Sequence, residues 1–512
     1  MPSSPTKARQ SSDWIPLLIC VLLLLAFGLV WSVNARKYYE LDYDEGVYLT
    51  SAQMIMRGYQ PFGSVFSSQP PAFLNLLIIG FHLFGSSVAV ARLVTIFFAL
   101  MGLGSAASVA WRLAGPFAGP VTIIAQGLPL VFFLEAQTVQ AEMAALGLAL
   151  LAIALLFPAA PRRGWLWIAG SGFLYGLGLL CKMLVAPMIL PIIFLLCCSG
   201  EKSDGQALRF LPAEVPSAKI FLVRLLFFGM GGILACLIIL LPYDLSAVYD
   251  QAILFHLKAK GAFPGSWTEN LKRLYSIFEL EPGLIALTLT GLLILFWKRR
   301  LAGIWLCLWI AAATFFLLDH TPLFQHHSVI LIPPLAIAAG TSTLWLTSFW
   351  RKKWIRPLGF LLLLPLFALE PASGLLEPLK LRPAVSLQRD LNSPSPELPF
   401  DLESETEALH LIEQNTRPDD FIVSDRQMQI FRTGRNVPPA MVDTSVVRIQ
   451  SGYLTDSQAI SASENARMII FWTGRLERLR EYRRWVQSRY HLLKEWRGPD
   501  TTLKEVYVRK TV

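Results

Sequence analysis

Just beyond its first apolar run the chain reads Leu41-Asp42-Tyr43-Asp44-Glu45-Gly46-Val47-Tyr48. Clustered carboxylates at a membrane exit are poorly explained by packing, because ionised side chains resist burial. One such carboxylate can take the proton of an attacking hydroxyl, and a second can hold the attacking molecule or a nearby cation. A solvated acidic turn is the bland alternative, and the local sequence leaves both open. Which of Asp42, Asp44 and Glu45 would be the base is equally open. Downstream, Ser67-Ser68-Gln69-Pro70-Pro71-Ala72-Phe73-Leu74 sets two prolines before an apolar run. That arrangement fixes an extended entry into an interfacial helix. In Ala91-Arg92-Leu93, an arginine opens another apolar run. Its guanidinium could meet a lipid phosphate with two parallel hydrogen bonds, or it could simply snorkel to the interface.

The elements that must position these groups are membrane spans. Of the residues, 54% are hydrophobic and only 16% charged, with mean hydropathy +0.49. Apolar runs of roughly 17–25 residues, the length that crosses a bilayer, recur through most of the first 370 positions. The first run, 15–31, is longer than a signal-peptide core and reads as a span. Further crossings are expected near 89–111, 117–134, 141–158, 165–181, 183–199, 218–241, 283–297, 301–318, 327–347 and 357–371. With Lys7 and Arg9 inside, this threading also puts Arg162, Arg163, Lys202, Lys219, the cluster 298–300 and the cluster 351–353 inside. It satisfies the positive-inside rule at most turns, with Arg36 and Lys37 as exceptions. It requires the apolar segment 71–84 to be interfacial or re-entrant.

The same parity gathers Asp42, Asp44, Glu45, Glu135, Asp244, Asp250, Asp319, His320, His326 and His327 at the outer face. Ionisable groups at that depth are costly and mark functional sites. The net charge of +9 sits largely in short loops beside the spans, so no nucleic-acid partner is expected. The six cysteines lie within or at the ends of apolar runs, without metal-ligand spacing, and read as small packing residues. After the last run the composition changes. The stretch 392–396 is a linker, and from Ser404 the chain reads as soluble α/β, with strands near 421–424, 468–472 and 503–508. A basic amphipathic helix is expected over 475–490, and the polar groups Asp419, Asp420, Asp425 and Arg426 read as strand-boundary polarity. The expected division is a membrane domain at 1–372, a linker at 373–403 and an α/β accessory domain at 404–512.

The acidic residues after the first span, then Pro70-Pro71, then Ala91-Arg92-Leu93, resemble the GT-C-type membrane glycosyltransferases. Within them the pattern is most similar to bacterial relatives of the dolichyl-phosphate-mannose protein mannosyltransferases and to the lipid A aminoarabinose transferases. Gln140-Ala141-Glu142-Met143-Ala144, Gly176-Leu177-Gly178-Leu179-Leu180-Cys181-Lys182, and Pro322-Leu323-Phe324-Gln325-His326-His327 followed by Pro333-Pro334-Leu335 add matches in order. The resemblance spans about 15–350. It implies a GT-C-like fold and a multi-pass protein of the prokaryotic plasma membrane, amino terminus cytoplasmic, site and tail extracytoplasmic. It implies transfer of a sugar from a polyprenyl-phosphate donor to a protein, glycan or lipid acceptor of the cell envelope, with inversion. Asp44 matches the catalytic carboxylate and Glu45 its acidic neighbour, while Glu142 matches the acidic residue that opens a crossing. Lys182, Arg92, His326 and His327 become candidates for gripping the donor phosphate. Gln69 departs from the pattern, standing where many relatives have Lys or His, which reduces a phosphate contact there to a neutral hydrogen bond. No cofactor is implied, and a divalent metal held by the acidic loops and histidines stays open. The rival class is a polytopic transporter or lipid-linked-sugar flippase, which predicts inverted repeats and polar groups at mid-membrane. Neither is present in the sequence.

Overall fold

The structure is a computed structural model that describes residues 14–35, 40, 42–157, 164–197, 218–263, 265–344, 402–497 and 503–510. The membrane-domain helices follow in order: α1 (Trp14–Ala35), α2 (Tyr43–Met56), α3 (Ala72–Phe84), α4 (Val88–Ala114), α5 (Ala118–Gly127), α6 (Leu130–Glu135), α7 (Ala141–Leu156) and α8 (Trp165–Cys181). Then come a 3-10 turn (Met183–Met188), α9 (Ile189–Cys197), α10 (Ala218–Leu240), α11 (Leu245–Tyr249), a π turn (Asp250–Leu254), α12 (Phe255–Ala262), α13 (Trp267–Phe278), α14 (Pro282–Lys298) and α15 (Arg300–Asp319). A second 3-10 turn (Gln325–Leu331) leads into α16 (Ile332–Thr341).

Among the described residues, four helices are long and apolar enough to cross a bilayer unbroken: α1, α4, α10 and α15. The pair α13 and α14, bent by 100°, raises that to as many as five. The other expected crossings are shorter or interrupted, and proline accounts for much of this, since it lacks a donor and clashes with the preceding turn. The run 117–134 splits into α5 and α6 at Pro129, and Pro187 holds 183–188 in a 3-10 turn before α9. The count of about eleven is therefore not confirmed, and the crossing at 357–371 lies outside the described residues, as do most of the linker and the basic clusters at 162–163, 202 and 351–353. Segment 71–84 forms the 13-residue α3, too short to span.

Apolar side chains face outward along α1 and α10, where Leu22, Leu25, Leu29, Leu226, Ile233 and Leu237 are exposed. An apolar surface of that kind belongs in lipid, and the chain is an integral membrane protein. Helices α8 and α10 cross where Gly172 lies on the Phe228 carbonyl and Gly231 on the Ala169 carbonyl. A Cβ at either position would overlap the opposing backbone, so the small residues set the close approach.

The tail is a small α/β unit: α17 (Leu402–Asn415), β1 (Phe421–Ser424), α18 (Gln427–Thr433), α19 (Val446–Gln450), α20 (Asp456–Ser463), β2 (Ala466–Phe471), α21 (Arg480–Arg489), β3 (Tyr490–Arg497) and β4 (Leu503–Arg509). Its sheet order is β1-β2-β4-β3, with β1 parallel to β2 and the other pairs antiparallel. The three expected strands are present. The long helix expected over 475–490 is instead a 3-10 turn (Leu476–Arg478) and the shorter α21, and Tyr490 opens β3. The tail is interlocked with the membrane domain rather than tethered to it. Met428 and Phe431 of α18 pack into the membrane-domain core, while Met54 and Val65 pack into the tail core.

Candidate active site

Asp42 is the N-cap of α2, and its Oδ1 accepts the backbone N–H of Asp44 at 2.8 Å. This is the preferred chemistry of a helix start, and it separates the three carboxylates by task. Glu45, one residue further round the helix, points into the protein. Arg92 Nε and Nη2 each donate to it at 2.7 Å, and both side chains are 0% exposed. The pair ties α2 to α4, and Glu45 Oε1 also accepts the Val139 N–H at 3.2 Å. Neither Glu45 nor Arg92 lines the cavity described next, so the arginine expected at a lipid phosphate is found inside the wall.

Asp44 lines a cavity of about 1020 Å³ together with Gln69, Lys182, His326 and His327. Burial pushes its carboxyl up to about 6, against the pull of the Lys182 ammonium and with the push of the Glu142 carboxylate. Lys182 follows α8 at the point where the helix gives way to the 3-10 turn, and its ammonium donates to Glu142 at the start of α7. His326 Nε2 lies 3.6 Å from the same Glu142 oxygen, and the His326 and His327 rings meet edge to face at 4.4 Å. Glu142 supports the site from behind, since it does not itself line the cavity. Among the described residues, Glu142, His326 and His327 bring three ligand atoms within 4.8 Å of one another, types that suit a divalent ion. In this fold the Lys182 ammonium occupies that position on Glu142.

The loops around the cavity are tied down. Asn270 Nδ2 donates to the carbonyls of Leu318 and His320 at 2.9 Å each, and Arg273 donates to Leu323 at 3.1 Å, fixing the segment that carries the histidines. The loop carrying Gln69 is held by Gln251 of the π turn, which accepts from Ser67 N at 3.0 Å and donates to Phe62 O at 2.7 Å. His256 Nε2 donates to the Ser68 carbonyl at 2.7 Å. Much of the remaining wall is apolar, from Ile189, Leu190, Leu308, Ala311, Phe315 and Phe316 of α9 and α15.

The tail adds what sequence reasoning missed: Asp443, Ser445 and Arg475 line the same cavity. The Tyr43 hydroxyl, beside Asp44, accepts the Thr444 N–H at 2.9 Å, and the Arg475 guanidinium lies 4.0 Å from the centre of the Tyr43 ring. Asp425, read from sequence as boundary polarity, is fully buried and accepts four backbone N–H groups, from Trp472, Thr473, Arg475 and Leu476, at 2.7–3.2 Å. It shapes the turn that presents Arg475. Glu135 and His320, noted from sequence only as outer-face ionisable groups, also line the cavity.

Residues 68–213 match the family model described as dolichyl-phosphate-mannose-protein mannosyltransferase. No curated protein matches the chain. Among solved structures, the apo form of ArnT from Cupriavidus metallidurans superposes with TM-score 0.61 at 16% identity, covering 95% of this chain and 97% of ArnT. ArnT bound to undecaprenyl phosphate gives 0.59 at 16% identity, covering 97% and 98%. The archaeal oligosaccharyltransferase AglB from Archaeoglobus fulgidus, in complex with an inhibitory peptide and a dolichol-phosphate, gives 0.50 at 13% identity, covering 96% and 74%. In architecture, a helical membrane domain with a docked α/β tail, the chain has the fold of the GT-C membrane glycosyltransferases.

Proposed function

We propose that the chain transfers a sugar from a polyprenyl-phosphate donor to an acceptor hydroxyl at the outer face of the membrane. The observation that carries this reading is one cavity that joins a half-buried carboxylate, Asp44, a lysine held on a buried carboxylate, Lys182, and a long apolar wall. A polyprenyl chain suits the apolar wall, and its phosphate suits the Lys182 ammonium with the imidazoles of His326 and His327. The acceptor oxygen attacks the anomeric carbon as its proton passes to Asp44 Oδ, and the phosphate leaves with the bonding electron pair, inverting the centre. The fixed ammonium offsets the charge that develops on the leaving phosphate. Glu45 and Arg92 serve by holding α2 in place, and the tail closes the cavity from outside. The sidedness rests on the positive-inside threading, with the amino terminus cytoplasmic and the tail extracytoplasmic.

The test is transfer by the purified protein of radiolabelled sugar from a polyprenyl-phosphate-sugar donor, with Asp44→Asn as the control. Donor turnover that depends on Asp44 is expected. Donor that crosses a vesicle bilayer unaltered would instead establish a flippase. Impermeant thiol reagents should reach Gln60→Cys and spare Arg300→Cys in intact cells, and the reverse would invert the threading.

A further inference from the structure

The end of the cavity around Asp44 carries more carboxyl groups than one proton transfer requires. Asp42, Glu135 and Asp443 line it beside Asp44, contributed by α2, by α6 and by the tail loop before α19. Each is close enough to Asp44, or to its immediate neighbours, to act on it electrostatically. The cations at this end are Lys182, already ion-paired with Glu142, and Arg475, stacked on Tyr43. The carboxylates therefore outnumber the cations here.

Glu135 is the member that points to a ligand. It is only 8% exposed, it lines the cavity, and its Oε2 has no hydrogen-bond partner among the described residues. A carboxylate oxygen buried without a donor is costly unless something in the cavity supplies one. Asp443 is similarly enclosed at 5% exposure. One of its oxygens accepts the Ser445 N–H at 2.8 Å, and Arg448 fixes its backbone carbonyl at 2.6 Å, so the side chain is held in place at the cavity wall. A phosphate or carboxylate brought here would meet the like charges of Asp42 and Asp44 from one side and of Asp443 from the other, an arrangement that rejects anions. A hydroxyl-rich, uncharged molecule would supply the missing partner, since a hydroxyl both donates and accepts.

We propose that this end is an acceptor subsite for an uncharged glycan, with Glu135 binding acceptor hydroxyls and Asp443 selecting against phosphorylated acceptors. The inference rests on the transferase reading above. The donor phosphate is kept to the side of Lys182 shared with the imidazoles of His326, His327 and His256, which offer N–H donors, while Lys260 there is ion-paired with Asp319; the leaving group and the acceptor so meet different chemistry. Selection between them comes from the same separation: anion-rejecting where the hydroxyl enters, anion-holding where the phosphate departs.

The experiment uses the full chain in lipid nanodiscs with a radiolabelled polyprenyl-phosphate-sugar donor. Donor consumption is followed first with water as the sole acceptor, then with a methyl hexoside, a long-chain alkyl hexoside and the corresponding hexoside 6-phosphate. The methyl and alkyl arms separate a free glycan from a lipid-borne one. The neutral hexosides should be used with kcat/KM at least about tenfold above the phosphate derivative, the scale of discrimination that a mismatched site group gives. Glu135→Gln and Asp443→Asn, near-isosteric exchanges, should raise KM for the neutral acceptors about tenfold with a smaller change in kcat, and Asp443→Asn should also narrow the gap to the phosphate derivative. A phosphate derivative used as well as the neutral one overturns the inference. So does donor hydrolysis by water with no neutral hexoside accepted, and so do substitutions that lower kcat alone. Failure of the unsubstituted protein to consume donor at all would overturn the transferase reading, and this inference with it.

Discussion

Two buried carboxylate–cation pairs stand on opposite sides of the cavity wall. Glu45 and Arg92 are sealed, both at 0% exposure, with Nε and Nη2 of the guanidinium committed to the carboxylate. Glu142 and Lys182 use the same two kinds of charge, but the lysine stays 8% exposed and lines the cavity. The first pair can only hold helices together. The second holds a cation in readiness, with the imidazole of His326 beside it. Residue type does not separate a structural pair from a functional one here; access to the cavity does. The neighbours Asp44 and Glu45 repeat the lesson within one turn of α2, one turned to the cavity and one to the core.

The sharpest way to break the comparison is to remove the two neighbouring carboxylates separately. Asp44→Asn should lower kcat by about a hundredfold or more, the usual range for losing a general base, while its thermal unfolding stays near that of the unsubstituted protein. Glu45→Gln should do the reverse, leaving Arg92 buried without its counter-charge and costing about 3 kcal/mol or more of stability. Scanning fluorimetry and initial rates, measured on both variants, decide the matter. If Glu45→Gln folds normally and loses turnover as Asp44→Asn was expected to, the assignment of roles is exchanged.

Across the wall, Lys182→Met should raise KM for the donor by about tenfold, as expected for one lost charge-assisted contact to phosphate. Arg92→Met should act on stability rather than on donor KM, and an equal donor effect from both would erase the distinction drawn between the pairs. Acidity offers a weaker handle on the same groups. Because burial raises the Asp44 carboxyl to about 6, its basic form is lost as pH falls through that value. The rate constant kcat/KM should be level above about pH 7 and fall by about tenfold per unit well below 6. A limb centred near 4 instead would mean that Asp44 sits in a more solvated site than the fold gives it.

The smallest expected effect lies at the seam with the tail. Gly46 of α2 meets the α18 backbone so closely that a Cβ would stand 2.6 Å from Met428 N and from Glu40 Oε1. Gly46→Ala should loosen the docking, exposing the tail to limited proteolysis and lowering turnover several-fold, with donor binding to the membrane domain little changed. Unaltered proteolysis would show that the seam has slack that the packing does not reveal.

Local chemistry made part of this legible in the sequence. The acidic cluster, the Pro70-Pro71 entry and the tail strands β1, β2 and β4 declare themselves in a few adjacent residues. Gln69, Lys182, His326 and His327, singled out from separate motifs, line one cavity with Asp44. What stayed hidden depends on distance. Nothing near Arg475 indicates that it will lie over Tyr43, and Asp425 looks like any strand-end carboxylate until four amides are seen to converge on it. Strand β3 was missed because Tyr490–Arg497 is charged and mostly exposed, an edge strand without an apolar face to announce it. The span count suffered from the opposite fault. Hydropathy records that a run is apolar, but it does not record the turns at Pro129 and Pro187 that break it.

The bond from the Thr444 amide to the Tyr43 hydroxyl joins residues 401 positions apart. Its consequence is temporal. A ribosome adding roughly 5–20 residues per second needs on the order of tens of seconds to go from one partner to the other. During that interval the membrane helices can insert and pack, but the wall containing Asp443 and Arg475 does not yet exist. The nascent protein therefore passes through a stage with its lipid-facing half assembled and the tail-side end of its cavity open. A chain that stalls before residue 475 has no complete cavity.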